Sequence, residues 1–366
     1  MSHRLLPSLA VLCALLPCVA QGAAPMPRYD HIFVIVMENR DYTQLMDRPD
    51  RAPNLNRLAA RYGTATRFFA ETHPSEPNYI AMVGGDTFNI RDDDAYYCKP
   101  GLKDEFCAAS QRPDYADHTI HARNLADQLG EHHLTWKAYL EDLPQPGSLK
   151  PRWPSDSDPA PGKPNALYAA KHIGFVNFAS VNGLPESERR KVFVDFHELD
   201  ADLASGHMPN YAQIVPNQCN DMHGLGGANV PEDCNERQNP EGLMKRGDAE
   251  IGMLVDKIMA SPVWREKGNS AIVVTFDEND GGDRDKGVQG CCGYDPKSKA
   301  NYGGGRIPTL VIANHGPGPV SDTTPYNHYS LLRTTEAAFG IDEYLGHAAE
   351  TDKGVTVMSP LFAVKQ

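Results

Sequence analysis

Basic residues are scarce in this chain of 366 residues, which has 35 Lys and Arg against 48 Asp and Glu and a formal net charge of −13. That balance argues against a nucleic-acid-binding protein, which carries a basic face, and against a polybasic membrane-surface anchor. Beyond its first residues the chain also lacks an internal repeat, an evident domain linker and any apolar run long enough to cross a bilayer. Because 40% of its residues are apolar, a sizeable core is available. We expect one domain over residues 25–366 without a transmembrane anchor, and composition leaves the oligomeric state open.

The first residues have the pattern of a signal peptide. Arg4 supplies the positive charge, Leu5–Leu16 is a short apolar segment, and Cys18–Ala20 and Gln21–Ala23 are small-residue cleavage sites. We therefore predict a signal peptide over residues 1–24 and a secreted or periplasmic mature protein.

Cys-x-x-Cys pairs are absent, which disfavours a zinc cluster. Two of the 8 cysteines lie in the predicted signal peptide, and the even number that remains indicates disulfides in an exported chain. Two short loops, Cys98–Cys107 and Cys219–Cys234, are the natural pairings. The adjacent Cys291 and Cys292 would pair with each other only with strain, or each would pair elsewhere.

Apolar runs that alternate with helical patterns predict the fold. His31–Met37 and Ala271–Phe276 are typical of strands buried on both faces, and the spacing of apolar residues from Ile251 to Met259 is typical of a helix packed on a sheet. This alternation predicts an α/β sandwich with a mostly parallel central sheet. Further strands are expected at 135–140, 211–216 and 307–313, and further helices at 55–62, 120–129, 198–205 and 329–339. Two polar stretches, 92–117 and 144–164, are expected to be loop insertions, and a loop as long as the second usually belongs to a functional rim.

The segment around Ser75 predicts a tight turn before a short helix. Pro74 and Pro77 flank the serine, Pro77 suits the first turn of a helix, and Gly84-Gly85 would end it. Backbone N–H groups collect at such a position and stabilise an anion such as phosphate. A hydroxyl held there can attack phosphorus once its proton is removed or replaced.

Groups able to hold a metal or a proton follow three predicted strands. They are Glu38-Asn39, Asp221 with His223, and Asp277-Glu278. In open α/β sheets ligands bind outside the carboxyl ends of the strands, so these groups and Ser75 would converge if the strands were parallel neighbours. Hard oxygen ligands favour Ca²⁺, Mg²⁺ or Mn²⁺, whereas a histidine shifts the preference toward a transition metal such as Zn²⁺.

Several short segments together resemble a bacterial phosphoesterase family. That family contains respiratory-burst-inhibiting acid phosphatases and non-haemolytic phospholipases C and is a branch of the alkaline phosphatase superfamily. The matching segments span most of the mature chain, in order: Met37–Arg40, Ser75–Tyr79 with Gly85, Pro216-Asn217 with Asp221–His223, Thr275–Glu278 and His328–Glu336. The resemblance implies a three-layer α/β/α sandwich like that of alkaline phosphatase.

The resemblance also implies roles for individual residues. Ser75 takes the position of the nucleophile, with Thr72 as its rival because Thr72 also begins a Thr-x-Pro. The implied metal ligands are Glu38, Asn39, Asp277 and Glu278. Further metal or phosphate ligands are implied at Asp221, His223 and His328. The implied substrate contacts are Asn78 and Arg40. His73 is implied as a phosphate contact or as the acid that protonates the leaving group.

The implied activity is that of an acid phosphatase which hydrolyses phosphate monoesters, including lipid headgroup phosphates such as phosphoinositides, through a metal-assisted phosphoserine. The alternative is a phosphodiesterase of the phospholipase C type. Phospholipase C members of the family carry two aromatic residues and Asp-His after the Asp-Glu pair, whereas this chain has Gly281–Asp285 without that histidine. Together with the chain end soon after the last motif, this difference favours the compact phosphatase branch, and the acidic composition and histidines predict a pH optimum below neutral.

Overall fold

A computed structural model of the chain describes residues 26–266, 268–281 and 289–365. The predicted signal peptide and the segment from Gly282 to Asp285 lie outside these residues. Within them, no helix is both long enough and apolar enough to cross a bilayer.

A central sheet organises the fold. The strands of the described residues are β1 (His31–Met37), β2 (Gly63–Phe69), β3 (Trp136–Leu140), β4 (Arg152–Trp153), β5 (Tyr168–Ala169), β6 (Phe193–Val194), β7 (Tyr211–Val215), β8 (Ser270–Phe276), β9 (Arg306–Ala313), β10 (Val320–Asp322) and β11 (Tyr326–Asn327). All except β4 and β5 form one sheet in the order β10-β2-β9-β8-β1-β7-β3-β6, with β11 also paired to β2. Only β9 runs antiparallel to its neighbours in the described part of this sheet.

Two groups of helices cover the sheet. The α-helices are α1 (Tyr42–Leu45), α2 (Pro53–Ala59), α3 (Glu76–Gly84), α4 (Leu125–Glu131), α5 (Ala179–Asn182), α6 (Glu186–Val192), α7 (Phe196–Ser205), α8 (Pro240–Ala260), α9 (Pro262–Arg265), α10 (His328–Phe339) and α11 (Ser359–Phe362). Helix α3 packs against α4 and α10, whereas α8 packs against α2 and α9, and α9 packs against α7. The predicted α/β sandwich with a mostly parallel central sheet is confirmed.

The strand that positions the site is β1. Its residues from Ile32 to Met37 are apolar and buried, and it lies between β7 and β8, both of which run parallel to it. The carboxyl ends of these three strands therefore meet at one edge of the sheet. This geometry brings the residues after Met37, Val215 and Phe276 together, as the strand-end pattern predicted.

Some elements differ from the sequence prediction. Strand β2 was not predicted, since polar Thr64, Thr66 and Arg67 interrupt its apolar pattern and its pairing with β9 shifts register between Ala65 and Phe68. The helix predicted from residue 120 begins only after Asn124, whose side chain caps it by accepting a hydrogen bond from the Ala126 N–H.

The two predicted short-loop disulfides are confirmed, and Cys291 pairs with its neighbour Cys292. The Cys98–Cys107 bond closes a loop inside the 92–117 stretch. The 144–164 stretch contains β4, which pairs with β5 just before a 3₁₀ turn at Ala170–His172.

Candidate active site

Ser75 stands immediately before α3, as predicted, and it is almost completely buried. A serine at this position usually caps the helix, but the Ser75 hydroxyl makes no capping bond. It donates instead to Glu38 Oε2 at 3.1 Å and lies 3.5 Å from Glu278 Oε1. The rival Thr72 turns its hydroxyl to the His73 carbonyl at 3.3 Å. Of the two candidate nucleophiles, Ser75 is thus the one in contact with the strand-end carboxylates.

Asn78 holds the turn that presents Ser75. Its side-chain oxygen accepts from the N–H groups of Glu71 and Thr72 at 3.0 and 3.2 Å, and its amide donates to the carbonyls of Thr72 and Pro74 at 2.9 and 3.2 Å. These four bonds use the full hydrogen-bonding capacity of one carboxamide. The contacts therefore give Asn78 a supporting position, and the substrate contact implied for it remains a prediction.

The start of α3 offers less to an anion than its sequence suggested. The Glu76 N–H donates to Asp93 Oδ1 at 3.1 Å, Pro77 has no N–H, and the Asn78 N–H donates to the Ser75 carbonyl at 2.9 Å. Asp93 lies in the 92–117 stretch, so this carboxylate arrives from outside the local motif. A phosphate beside Ser75 must therefore obtain much of its charge compensation from side chains.

Glu38 lies at the centre of the site because β1 ends there. Asn39 adopts a left-handed conformation with φ of 53°, which asparagine tolerates better than most residues. This turn lets the Asn39 N–H donate to Asp277 Oδ1 at 2.9 Å and its side-chain amide donate to Glu38 Oε2 at 3.0 Å. The other carboxylate oxygen of Glu38 accepts from the Tyr79 hydroxyl of α3 at 2.7 Å.

Backbone hydrogen bonds extend the sheet into the site and fix the strand-end acids. The Glu38 N–H donates to the Asp221 carbonyl at 2.8 Å, and the Asp277 N–H donates to the Met37 carbonyl at 3.0 Å. Asp221 Oδ1 accepts from the His223 N–H at 2.7 Å. Three carboxyl groups from three neighbouring strands are thereby held together in a fully buried place.

The electrostatics of these carboxyl groups call for a cation. Burial raises the pKa of Glu38 and of Asp221 well above the usual range, and the charge of Asp277 raises both further. Burial also raises the pKa of Asp277 to about 6, against the opposing effect of its bond from the Asn39 N–H. Asp221 Oδ2 and Asp277 Oδ2 are buried without a hydrogen-bond partner. Buried acceptors left in this state are costly unless an ion satisfies them, so the donor set fits a divalent cation.

His172 belongs to this cluster, and sequence reasoning missed it. Its Nε2 lies 3.2 Å from Glu38 Oε1 without hydrogen-bond geometry, its Nδ1 lies 3.6 Å from Asp221 Oδ2, and its ring stacks on Tyr79 with centroids 5.2 Å apart. Ligand atoms of Glu38, His172 and His223 all lie within 4.8 Å of one another. Burial lowers the pKa of His172 well below its usual range and that of His223 to about 4, and nearby Lys171 lowers both further. Both imidazoles are therefore neutral, which is the form that binds metals.

Lys171 is the second residue that sequence reasoning missed. Its ammonium donates to Asp93 Oδ2 at 2.8 Å, and its side chain is 20% exposed. Burial opposes its charge, but the carboxylates of Asp93 and Glu38 more than compensate and raise its pKa. Neither Lys171 nor His172 follows a long apolar strand, and the only sequence signal near them was the long rim-like loop that precedes them.

The remaining predicted residues lie at different distances from this centre. His73 joins it, because its Nδ1 pairs with Glu278 Oε2. Arg40 lies at its side, with its guanidinium bound to the carbonyls of Met222 and Asn39 and to Glu236.

His328 lies behind the centre. Its Nε2 is 3.0 Å from the Phe276 carbonyl, its ring packs on Phe68, and burial lowers its pKa to about 4. These contacts support the end of β8, and the direct role implied for His328 remains a prediction.

Known proteins are similar to this chain in sequence and in fold. A sequence profile of the phosphoesterase family matches residues 47–342. The chain is 28% identical over 326 residues to the phosphatidylinositol-3-phosphatase of Mycobacterium tuberculosis, covering 89% of this chain and 82% of that protein. It is also 28% identical over 317 residues to the phosphate-repressible acid phosphatase of Penicillium chrysogenum, covering 86% of this chain and 60% of that protein. The chain thus spans less than two thirds of this fungal relative.

Among solved structures, an alkaline phosphatase superfamily protein from Vibrio parahaemolyticus aligns with a TM-score of 0.51 and 12% sequence identity, over 88% of this chain and 70% of that one. At this identity the likeness is one of fold.

Proposed function

The chain belongs to the phosphoesterase family, and we propose that it is a secreted acid phosphatase, folded as a single domain, which hydrolyses phosphate monoesters through a phosphoserine on Ser75. The observation that carries the proposal is the Ser75 hydroxyl, which is bonded to Glu38 at 3.1 Å inside a buried cluster of carboxyl groups at the strand ends. A buried serine that leaves its helix uncapped in order to meet carboxylates has the arrangement of an activated nucleophile.

The residues of the centre would act in sequence. Ser75 Oγ passes its proton to Glu38 Oε2, to which it is hydrogen-bonded, and attacks the phosphorus atom while the bond from phosphorus to the ester oxygen breaks. His73 gives a proton to the departing alcohol, since its pairing with Glu278 stabilises the imidazolium. Water then gives a proton to His73 and its oxygen to phosphorus, the bond from phosphorus to Ser75 Oγ breaks, and Glu38 returns the proton that restores the Ser75 hydroxyl as phosphate leaves.

The proposed cation site combines the predicted ligands with the histidines of the cluster. Glu38, Asn39, Asp277 and Glu278 are its predicted ligands, with Asp221 and His223 as the further ligands predicted. His172, which was not predicted, lies against Glu38 and Asp221. A cation held there would lower the pKa of the serine hydroxyl and neutralise charge on the phosphate oxygens. The mixed oxygen and imidazole donors admit Mn²⁺ or Zn²⁺ as well as Mg²⁺ or Ca²⁺.

The substrate is proposed to be a small phosphate monoester or the phosphorylated headgroup of a lipid. The name of the mycobacterial relative supports the lipid option, and those of the fungal relatives support general monoesters. The disulfides and the predicted signal peptide support a secreted or periplasmic location, where disulfides persist.

Comparison of a mono-aryl phosphate with a bis-aryl phosphate, with and without chelator, tests the proposal. We expect cleavage of the monoester, loss of this activity in chelator, and recovery when a divalent cation is returned. Preferential cleavage of the bis-aryl ester would instead establish the phospholipase C type of activity. A rate that rises continuously to about pH 9 would contradict the acid optimum.

The nucleophile is tested separately. Ser75→Ala should abolish turnover, whereas Thr72→Ala, the matched control in the same turn, should retain part of it. Rapid quenching with labelled substrate should place the phosphoryl group on the peptide that contains Ser75. Loss of turnover in Thr72→Ala but not in Ser75→Ala would reassign the nucleophile.

A further inference from the structure

A phosphoryl group beside Ser75 enters a strongly acidic place. Glu38, Asp277 and Glu278 lie beside the serine, and the first N–H of α3 is already used by Asp93. Because a phosphate monoester carries up to two negative charges, the site needs positive charge beyond that which offsets its own carboxylates.

The cations near the site differ in their availability. The imidazoles of His172 and His223 belong to the proposed cation site with Glu38. The Arg40 guanidinium is bound to two backbone carbonyls and to Glu236. The His73 imidazole is paired with Glu278. Lys171 remains, and its ammonium donates one hydrogen bond, to Asp93.

The position of the Lys171 ammonium is set by Asp93. One oxygen of this carboxylate accepts from Lys171 Nζ at 2.8 Å, and the other accepts at 3.1 Å from the N–H of Glu76, the residue that follows Ser75. Lys171, Asp93 and Glu76 also line one cavity of about 300 Å³. The residue after Lys171 is His172, which lies against Glu38 and Asp221. Lys171 therefore borders this cavity and adjoins, in the chain, a residue that contacts the carboxylate cluster.

We propose that Lys171 binds the phosphoryl oxygens of the substrate beside Ser75 and that Asp93 is the positioning residue that holds the ammonium there. This inference rests on the proposed function, since it concerns the same site. An ammonium has three donors and Asp93 uses one of them, which leaves donors for phosphate oxygens. Lys171 thereby supplies the positive charge that the start of α3 does not supply.

Replacement of the ammonium tests the binding step. Lys171→Met removes the charge but keeps most of the side-chain length, and Lys171→Arg keeps the charge. Lys150→Met is the matched control, because Lys150 is an exposed lysine of the 144–164 stretch that pairs with Asp158. The dissociation constant of inorganic phosphate is measured by calorimetry for each protein, with the same divalent cation added throughout.

We expect Lys171→Met to weaken phosphate binding by about 10- to 100-fold, the usual loss for a hydrogen bond to a charged group. Lys171→Arg should keep most of the affinity, and Lys150→Met should match the wild type. With a mono-aryl phosphate, KM should rise more than kcat falls. Unchanged phosphate affinity in Lys171→Met would overturn the proposal, even if its cation affinity changed, because that result would limit Lys171 to neutralising carboxylates.

A measurement on the wild-type protein covers the case in which Lys171→Met does not fold. An amine-modifying reagent is applied with and without inorganic phosphate, and the modified lysines are located by mass spectrometry. Phosphate should slow the modification of Lys171 and leave that of Lys150 unaltered. Equal rates at Lys171 under both conditions would contradict phosphate binding by this side chain.

The role of Asp93 requires a double-mutant cycle. Asp93→Ala should weaken phosphate binding in the wild type but have little further effect in Lys171→Met, because a positioning residue acts only through the group that it positions. Asp93→Glu should restore part of the affinity. Equal losses from Asp93→Ala in both backgrounds would refute the positioning role.

These binding measurements do not depend on turnover. A wild type that binds phosphate through Lys171 but hydrolyses no monoester would refute the proposed function and leave this inference intact. A wild type that hydrolyses monoesters while Lys171→Met binds phosphate normally would refute the role of Lys171 and leave the proposed function intact.

Discussion

The carboxylate cluster predicts that one substitution has opposite effects with and without a bound cation. The change is Asp277→Asn, which removes a charge but keeps a side-chain oxygen for the N–H of Asn39, now at 2.9 Å from Asp277 Oδ1. Without a cation, Asp277 is a buried acid among other acids, and its removal should stabilise the protein. With a cation bound, the same substitution removes a ligand and should destabilise it.

The magnitude follows from the pKa of Asp277. Burial raises this pKa from an ordinary 3.8 to about 6, which corresponds to about 3 kcal/mol at about 1.4 kcal/mol per unit. The unfolded chain releases this proton near pH 4, but the cation-free folded protein keeps it until about pH 6. The cost to folding is therefore absent at low pH, grows as the pH rises, and is complete above about pH 6.

The assay is denaturant unfolding of wild type and Asp277→Asn in chelator and in excess divalent cation, at about pH 5 and about pH 7.5. In chelator the variant should be more stable by about 3 kcal/mol at the higher pH and by about half as much at the lower. Exposed Asp256, which lies 3.7 Å from Arg57, provides the control Asp256→Asn. A variant less stable than wild type in chelator at the higher pH would refute the view that these acids are held in an electrostatically unfavourable arrangement.

Three further outcomes are expected. Asn78→Ala should lower the free energy of unfolding by about 2–4 kcal/mol, because four hydrogen bonds are lost, and should also lower kcat. A rise in KM at unchanged stability would instead favour the substrate contact predicted for Asn78. Burial raises the pKa of Glu336 to about 8, and the unfolded chain releases that proton first, so the wild type should lose about 2 kcal/mol of stability through Glu336 between about pH 6 and about pH 8. Glu336→Gln should abolish this loss, and an unchanged slope of stability against pH in the variant would contradict the reasoning. Cys219→Ser should lower the free energy of unfolding in denaturant by about 3 kcal/mol, because it opens the 15-residue loop that the disulfide to Cys234 closes. It should also weaken cation binding by Asp221. Equal stability of wild type and variant under oxidising conditions would contradict the first expectation.

The part of the site that follows strands could be predicted from sequence. Apolar runs such as His31–Met37 identify buried strands, parallel strands place their carboxyl ends at one edge, and the residues that follow them must meet there. Glu38, Asp221 and Asp277 satisfy all of these conditions. Their positions depend on a local pattern, which the sequence shows, and on β1 lying between β7 and β8, which the sequence analysis took as a condition.

The part of the site that comes from loops could not be predicted in this way. Lys171 and His172 lie in a 3₁₀ turn that follows the short pairing of β4 with β5, and neither an apolar run nor a ligand spacing marks them. Asp93 changes the start of α3 from a distance of 17 residues. Such contacts depend on how long loops fold back on the sheet, which periodicity does not encode.

Strand and loop contributions also differ in their electrostatic effect, and this difference explains why the site needs both. The strand ends supply negative charge, since Glu38, Asp221 and Asp277 come from them and their raised pKa values show the cost of gathering them. The loops supply the imidazole of His172, which lies 3.2 Å from Glu38, and the ammonium of Lys171. A centre made from strand ends alone would attract a metal ion but repel a phosphate. The ammonium of Lys171 therefore adds the positive charge that the proposed phosphate chemistry requires, and substitution of this one residue would alter phosphate binding while leaving the carboxylates and His172 in place.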